Sequence, residues 1–380
     1  MTIRVLVLGG GMIGSAVAMD LARRDVYHVT VADNSDTRLG RIADECSAAT
    51  IRADLSQPET VRTLAVQHDL IVGALPSVLG YQALRAVIES GRAAVDISFM
   101  SENALELDAL ARRHGVTAVV DCGVAPGLSS MMAAYGAAQL SSCERVTIYV
   151  GGLPVERRWP FEYQAGFSPS DVIEEYVRPA RVVENGHIVV KDALTDPELI
   201  DVPGVGTLEA FVTDGLRSLP DTMDARFMTE KTLRYPGHRQ LMHTLRESGF
   251  FSTEAISIGG HEIRPLDVTA ALLFPKWTFR DGEADVTILR VIVEGSNGEA
   301  RVRYTWDLVD RYDPATGMRS MSRTTAFPAT AVAGLVAEGA LPPGVHPPEI
   351  IGKSGLLDVV LRDLALRGVQ CRLDVQRDSG

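Results

Sequence analysis

Cysteine is scarce. Cys46, Cys122, Cys143 and Cys371 are the only four in 380 residues, and no two form a C-x-x-C pair. That scatter argues against a disulfide framework or a zinc site and points to a reducing, cytoplasmic setting. Lysine and arginine never run in a block, and the formal net charge is −12. An acidic chain of this kind disfavours nucleic acid and anionic membranes as partners and suits cationic small molecules. A long unbroken apolar run is also missing. The apolar opening, IRVLVLGGGMIGSAVAMDLARR at residues 3–24, is interrupted by Arg4, Asp20 and several glycines. It fits neither an export signal with its cleavage site nor a membrane span. There is no internal repeat and no low-complexity linker. What is present is 46% hydrophobic residues in a chain long enough for two domains.

The opening stretch reads instead as strand, turn and helix. Residues 3–8 are a short, mostly apolar run ending in glycine, as in a buried parallel strand. Gly9, Gly11 and Gly14 follow as G-x-G-x-x-G, and residues 13–24 put Ile13, Val17 and Leu21 on one helical face. The chemistry asks for glycine three times: for a tight turn, for backbone approach to a pyrophosphate, and for close helix–strand packing. The free N–H groups at the helix start, with Met12 and Ile13, would face the phosphates. A second strand over residues 27–32 ends at Asp33-Asn34. An acid there can bind a ribose 2′-hydroxyl and repel a 2′-phosphate, which favours NAD over NADP. Arg38, one turn onward, keeps NADP open, and the competing role for Asp33 is a helix N-cap.

The same rhythm continues with strands at 48–52, 69–72, 93–97 and 116–120. Asp54-Leu55 would border the adenine, and Ala74-Leu75-Pro76 would line the cofactor. Asp96 and Asp121 fall at carboxyl ends of strands, where an open α/β sheet forms its ligand crevice. The pattern then changes. Residues 145–150 read as a strand, 182–189 as a hairpin around Asn185-Gly186, and 284–294 with 300–309 as another hairpin. In the last arm Val302, Tyr304, Trp306 and Leu308 alternate with polar residues, as in a half-buried antiparallel strand. A helix from Thr325, a proline-rich link over 341–348 and a helix near 356–367 close the chain. The expected fold class is α/β, a Rossmann doubly wound parallel sheet with an inserted α+β domain. Residues 1–122, completed by 323–380, would bind the dinucleotide, and 123–322 would form the substrate and dimerisation domain.

Three further stretches are dense in chemistry-bearing residues. Asp121-Cys122-Gly123 opens a Gly- and Pro-rich turn with Ser129 as a helix cap; it is either a plain domain crossing or the nicotinamide side of the site. Thr213 and Arg217 flank one glycine, and Arg234 and His238 surround another. Arginine can grip a carboxylate through two parallel hydrogen bonds, but either arginine could equally form a surface ion pair. His238 beside glycine suits a loop. Glu162-Tyr163 offers an acid and a phenol, or packing at a sheet edge.

In order along residues 3–370, VLGGGMIG with Asp33, DCGVAPGL, LEAFVTDGLRSL, KTLRYPGH, SRTTAF and GVHPPE resemble the saccharopine dehydrogenase-like family. YVGGLPV at 149–155 and FEY at 161–163 are most similar to its lysine 6-dehydrogenase (lysine ε-dehydrogenase) branch. The resemblance implies an oxidoreductase acting on CH–NH2 or CH–NH groups and a homodimer or higher homo-oligomer. It further implies that Arg234 holds a substrate carboxylate, with Thr213, Arg217 and His238 nearby. Asp121, Asp96 and Tyr163 are the implied catalytic candidates, and no metal is expected. The first reading is NAD-dependent oxidation of the ε-amine of L-lysine to allysine, which cyclises to piperideine-6-carboxylate, with release of ammonia. The alternative is cleavage of saccharopine or a similar N-substituted amino acid, for which Arg217 would add a second carboxylate grip where the lysine enzymes are expected to carry a TSGG-like turn. A non-catalytic NAD sensor is the third.

Overall fold

A computed structural model describes residues 2–378. They form two compact units, one of residues up to Ala138 together with Ser322–Gln370, the other of Gln139–Met321 with the segment from Cys371 onward. The units part after the helix Leu128–Ala138 rather than at 122/123, because that helix packs on Glu349–Lys353 in the first unit. No helix among the described residues is long and apolar enough to cross a membrane.

The first unit holds a seven-stranded sheet in the order Gly344–His346, Thr117–Val119, Ala93–Asp96, Leu70–Gly73, Ile3–Leu8, Tyr27–Asp33 and Ala49–Arg52. Every neighbouring pair is parallel. The strand order reverses beside Ile3–Leu8, which is where a doubly wound sheet opens its crevice. Apolar side chains such as Leu6, Leu8, Ile71 and Val120 form its core.

The proline-rich link at 341–348 is not merely a connection. Its residues Gly344–His346 supply the seventh strand, paired with Thr117–Val119. Three residues between prolines are too few for periodicity to reveal. The returning tail is also tied down by charge. Asp20, 4% exposed on the first helix, accepts hydrogen bonds from Thr330 Oγ1 and Arg367 Nη1, both at 2.6 Å.

The second unit carries a nine-stranded mixed sheet. Its main path runs Glu198–Val202, Gly206–Val212, Phe227–Arg234, Ser142–Pro154, Asp285–Asn297, Ala300–Arg311 and Arg372–Asp378. The hairpin Ala180–Glu184 and His187–Lys191 joins through Phe227–Arg234. Only Phe227–Arg234 against Ser142–Pro154 is parallel. Val302, Tyr304, Trp306 and Leu308 are all buried, so the alternation read from the sequence does mark the inner face. The strand expected at 145–150 is longer, spanning Ser142–Pro154. Arg372–Asp378, exposed throughout, was not anticipated; a polar edge strand carries little hydrophobic signal. The helix expected from Thr325 begins at Ser320, because the Asp285 carboxylate accepts the N–H groups of Ser320 and Met321 at 2.7 and 2.9 Å.

Candidate active site

The glycine turn of the first unit is built as dinucleotide chemistry requires. Gly9 has φ +100°. A side chain on Gly14 would place Cβ 1.9 Å from the Gly9 carbonyl oxygen, so helix and turn can approach this closely only with hydrogen there. At Gly11 nothing lies within 4 Å of such a Cβ, which leaves that backbone open to a phosphate. Met12 begins the helix, followed by Ile13. Ala74 N donates to the Leu8 carbonyl at 2.9 Å and carries Leu75 and Pro76 to the same strand ends. These residues fit a dinucleotide, and they would hold it by backbone donors.

Asp33 is 5% exposed and is not a helix cap; Ser35 caps the following helix. Asp33 Oδ2 accepts the Gly10 N–H at 2.7 Å and Oδ1 accepts Ser35 N–H at 2.8 Å. The carboxylate is thereby fixed beside the turn. Arg38, largely exposed, reaches within 3.5 Å of it. Asn34 is exposed at the strand end. Asp54 is exposed and its carboxylate is held below the usual range by hydrogen bonds from Ser56, while Leu55 is buried.

Asp96 and Asp121 lie at the ends of adjacent strands of the same unit. The Asp96 carbonyl accepts Cys122 N–H at 3.0 Å, and its carboxylate accepts Ser98 N–H at 2.7 Å. Burial pushes the Asp96 carboxyl up to about 7, Ser98 pulls it back, and the charge of Asp121 pushes it further up. Asp121 is half-buried with φ 51°. Cys122 is fully buried and its thiol is pushed up by that burial, which removes it as a nucleophile. Ser129 does not cap the helix: it lies inside Leu128–Ala138, buried, and among the described residues its hydroxyl has no hydrogen-bond partner.

In the second unit, Tyr163, Thr213, Arg217, Arg234 and His238 come together in one polar cluster with residues that sequence reasoning missed. Arg234 is 2% exposed. Its Nη2 donates to Glu175 at 2.9 Å, its Nε to the Tyr176 hydroxyl at 3.2 Å and its Nη1 to the Leu233 carbonyl at 3.0 Å. The Tyr163 ring lies 4.5 Å from the guanidinium. Tyr163 is buried against Trp277 and His238, and burial drives its phenol well above the usual value. Its ring thus packs against Arg234.

His238 is a helix-start residue rather than a loop residue, and is 2% exposed. Its ring nitrogens face the Tyr176 hydroxyl and the Phe161 carbonyl, each at 2.9 Å. Burial, and secondarily the Arg234 charge, lower it to about 3, so it is neutral.

Thr213 and Arg217 belong to a turn after the strand Gly206–Val212. Thr213 Oγ1 donates to Glu230 Oε2 at 2.6 Å and lies 2.8 Å from Thr232 Oγ1. Asp214 sits between Arg217 at 3.5 Å and Arg178 at 3.8 Å. Arg217 has φ 53° and is 12% exposed at its side chain. The cluster thus interleaves Arg178, Arg217 and Arg234 with Glu175, Asp214 and Glu230. One signal for Glu230 was in the sequence: Met228, Glu230, Thr232 and Arg234 share the buried face of one strand, and three polar residues on an inward face call for a purpose.

The chain is similar to known proteins. Residues 5–119 match the family model described as the saccharopine dehydrogenase NADP binding domain, and residues 123–369 match that of the saccharopine dehydrogenase C-terminal domain. The mouse mitochondrial alpha-aminoadipic semialdehyde synthase is 25% identical over 280 residues, covering 69% of this chain and 30% of that protein. Saccharopine dehydrogenase [NADP(+), L-glutamate-forming] of Schizosaccharomyces pombe is 23% identical over 267 residues, 66% of this chain and 59% of that protein. The match thus covers less than two thirds of either relative. In structure, the apo saccharopine dehydrogenase (L-Glu forming) of Saccharomyces cerevisiae superposes with a TM-score of 0.80 at 18% identity, covering 98% of this chain and all of that one, which shows a shared fold. With both family models matched in succession along nearly its whole length, the chain belongs to the saccharopine dehydrogenase family.

Proposed function

We propose that the chain is a nicotinamide-dependent oxidoreductase that oxidises the C–N bond of an amino-acid-derived amine, and that its substrate is an N-substituted amino acid of the saccharopine type. One observation carries the substrate class: three arginines interleaved with three acids in a largely buried cluster of the second unit. Buried charges are costly unless paired, and an amino acid brings one of each sign. The names of the relatives, L-glutamate-forming saccharopine dehydrogenases, favour a substrate with an acidic arm on its nitrogen. L-lysine is the second reading, favoured by the YVGGLPV and FEY stretches.

The two readings share a reacting carbon. Hydride leaves the ε-carbon attached to nitrogen, water adds to the resulting imine, and the C–N bond then breaks to give allysine. The nitrogen departs as L-glutamate in one case and as ammonia in the other. Bound nicotinamide supplies the hydride acceptor. The glycine turn and the Asp33 carboxylate orient that cofactor, and Asp33 favours NAD, although the family model is described by NADP.

The amine must lose its proton before its lone pair can expel hydride; an alkylammonium holds that proton up to about pH 10.4 in water. Asp121, half-buried at its strand end, is the proposed acceptor. Asp96, its carboxyl raised to about 7 by burial and further by the Asp121 charge, is its buried neighbour. Arg234, already braced by Glu175 and Tyr176, and Arg217 are assigned to substrate carboxylates.

The test is NADH or NADPH absorbance with saccharopine, L-lysine and related N-alkyl amino acids. Turnover of saccharopine with L-glutamate as product is expected, and Arg217→Ala should raise its KM while sparing any lysine turnover. Ammonia release from lysine with saccharopine inert would overturn the substrate assignment. Full turnover by Asp121→Asn across pH would remove Asp121 from its role.

A further inference from the structure

The turn that carries Asp214 and Arg217 rests on the side chain of Glu230. Glu230, 2% exposed on the strand Phe227–Arg234, directs one carboxyl oxygen at two donors of that turn. Oε2 accepts from Thr213 Oγ1 at 2.6 Å and from Gly215 N at 3.1 Å. The turn is shaped around it. A Cβ on Gly215 would stand 2.4 Å from the Glu230 carboxyl carbon, so the residue at 215 has to be glycine for the carboxyl to dock. Two residues on, Arg217 takes φ 53°, a conformation an arginine seldom adopts unless its surroundings impose it.

We propose that Glu230 is a positioning residue: it clamps the 213–217 turn, sets Asp214 and Arg217 in place, and thereby selects substrates whose nitrogen carries an acidic arm. The selectivity half rests on the proposed reaction; the clamp itself does not. Among the described residues Glu230 has no basic partner, and its surroundings include the acids Glu175 and Asp214. Burial first, and those acids next, push its carboxyl up to about 8. Near neutrality it is therefore largely uncharged, and glutamine reproduces both its shape and its acceptor oxygen. This separates the clamp from a charge effect. Leucine keeps the volume and removes the acceptor, leaving the Gly215 N–H and the Thr213 hydroxyl without it.

Two readouts on the full chain test this. The first is amide hydrogen exchange of a peptide spanning 213–218. The second is calorimetric Kd for saccharopine and for L-lysine in the presence of NAD, alongside KM and kcat. In Glu230→Leu, exchange over 213–218 should speed up by at least about tenfold, and saccharopine Kd and KM should rise by about tenfold or more with lysine binding little changed. Glu230→Gln should restore both. If Glu230→Leu does not fold, Gly215→Ala drives its methyl into the carboxyl and should show the same pattern. Unchanged protection in Glu230→Leu would overturn the clamp. Lost protection with an unchanged ratio of saccharopine to lysine affinity would overturn the selectivity. If the wild type protects 213–218 but binds neither amine, the clamp stands and the functional reading falls, taking the selectivity with it.

Discussion

The two units place polar groups in opposite ways. The dinucleotide turn of the first unit works by leaving side chains out. Its glycines bring backbone N–H groups to a helix start, and a single acid, Asp33, is held by the turn's own amide. The cluster of the second unit crowds polar and charged side chains together, with Glu175 and Arg178 at one helix end, Asp214 and Arg217 on a turn, and the largely uncharged Glu230 beside Arg234 on a strand. A pyrophosphate is nearly the same object in every dinucleotide, so a fixed backbone frame serves it. Amino-acid substrates differ in the number and spacing of their charges, and only side chains can be varied to match them. The first region should therefore fail abruptly when a methyl is added, and the second by degrees as charges are unpaired.

The largest expected effect is in the turn. In Gly14→Ala the methyl meets the Gly9 carbonyl 1.9 Å away, so helix and turn must separate. NAD affinity should fall by about a hundredfold or more, as when several backbone hydrogen bonds are lost together. Fluorescence titration with NAD checks this, and unchanged affinity would refute the abrupt half of the comparison.

Next comes the charge cluster. Arg234→Ala strands Glu175 and removes a donor from Tyr176, and unpairing a buried ion pair costs about 3–5 kcal/mol. Urea denaturation should show a loss of that order while NAD binding persists. A loss of NAD binding in the still-folded variant would mean that the two regions do not work separately.

Asp33→Ala sharpens the comparison from the other side. It removes the Gly10 acceptor and the repulsion toward a 2′-phosphate, leaving Arg38 beside the site. The ratio of NAD to NADP affinity should fall by about tenfold, the worth of one charge-assisted hydrogen bond. An unmoved ratio would take Asp33 out of cofactor choice.

The smallest effect is in the pH dependence of stability. Asp96 at about 7 and Glu230 at about 8 hold protons in the native state that the unfolded chain has already lost. Stability should therefore fall as pH rises from about 4 toward 8 and level off beyond. His238, lowered to about 3, has the opposite sign: the unfolded chain binds a proton that the native state refuses. It offsets one acid below about pH 6.5, so the steepest loss should lie just above that value. Tm measured from pH 6 to 9 checks this. The double variant Asp96→Asn, Glu230→Gln should flatten the curve, and an unaltered slope would count against both assignments.

How much of this was legible follows the same division. The cofactor turn lies within six consecutive residues and one strand end, so spacing alone exposed it. Most of the strands around it were readable because they are short runs of buried apolar residues, as in Ile3–Leu8 and Leu70–Gly73. Gly344–His346 and Arg372–Asp378 were not, the first being too short and the second too polar to leave a hydrophobic pattern. In the second unit Arg234 and His238 were singled out by a glycine nearby, but their partners Glu175 and Tyr176 lie about sixty residues away. Tyr163 was open to two readings, a phenol of the site or packing, and its ring lies buried against the Arg234 guanidinium.

The sequence by itself determined the parallel sheet, its nucleotide turn, the acid at the second strand end and the switch to antiparallel hairpins. These depend on local periodicity and on glycines whose backbone conformations few other residues accept. Only the tertiary structure decided which acid faces which arginine, that His238 stays neutral, and that Glu230 underlies the 213–217 turn. The energy of a charge is set by its burial and by the groups within a few ångströms, and those come from elements that only the packed chain brings together.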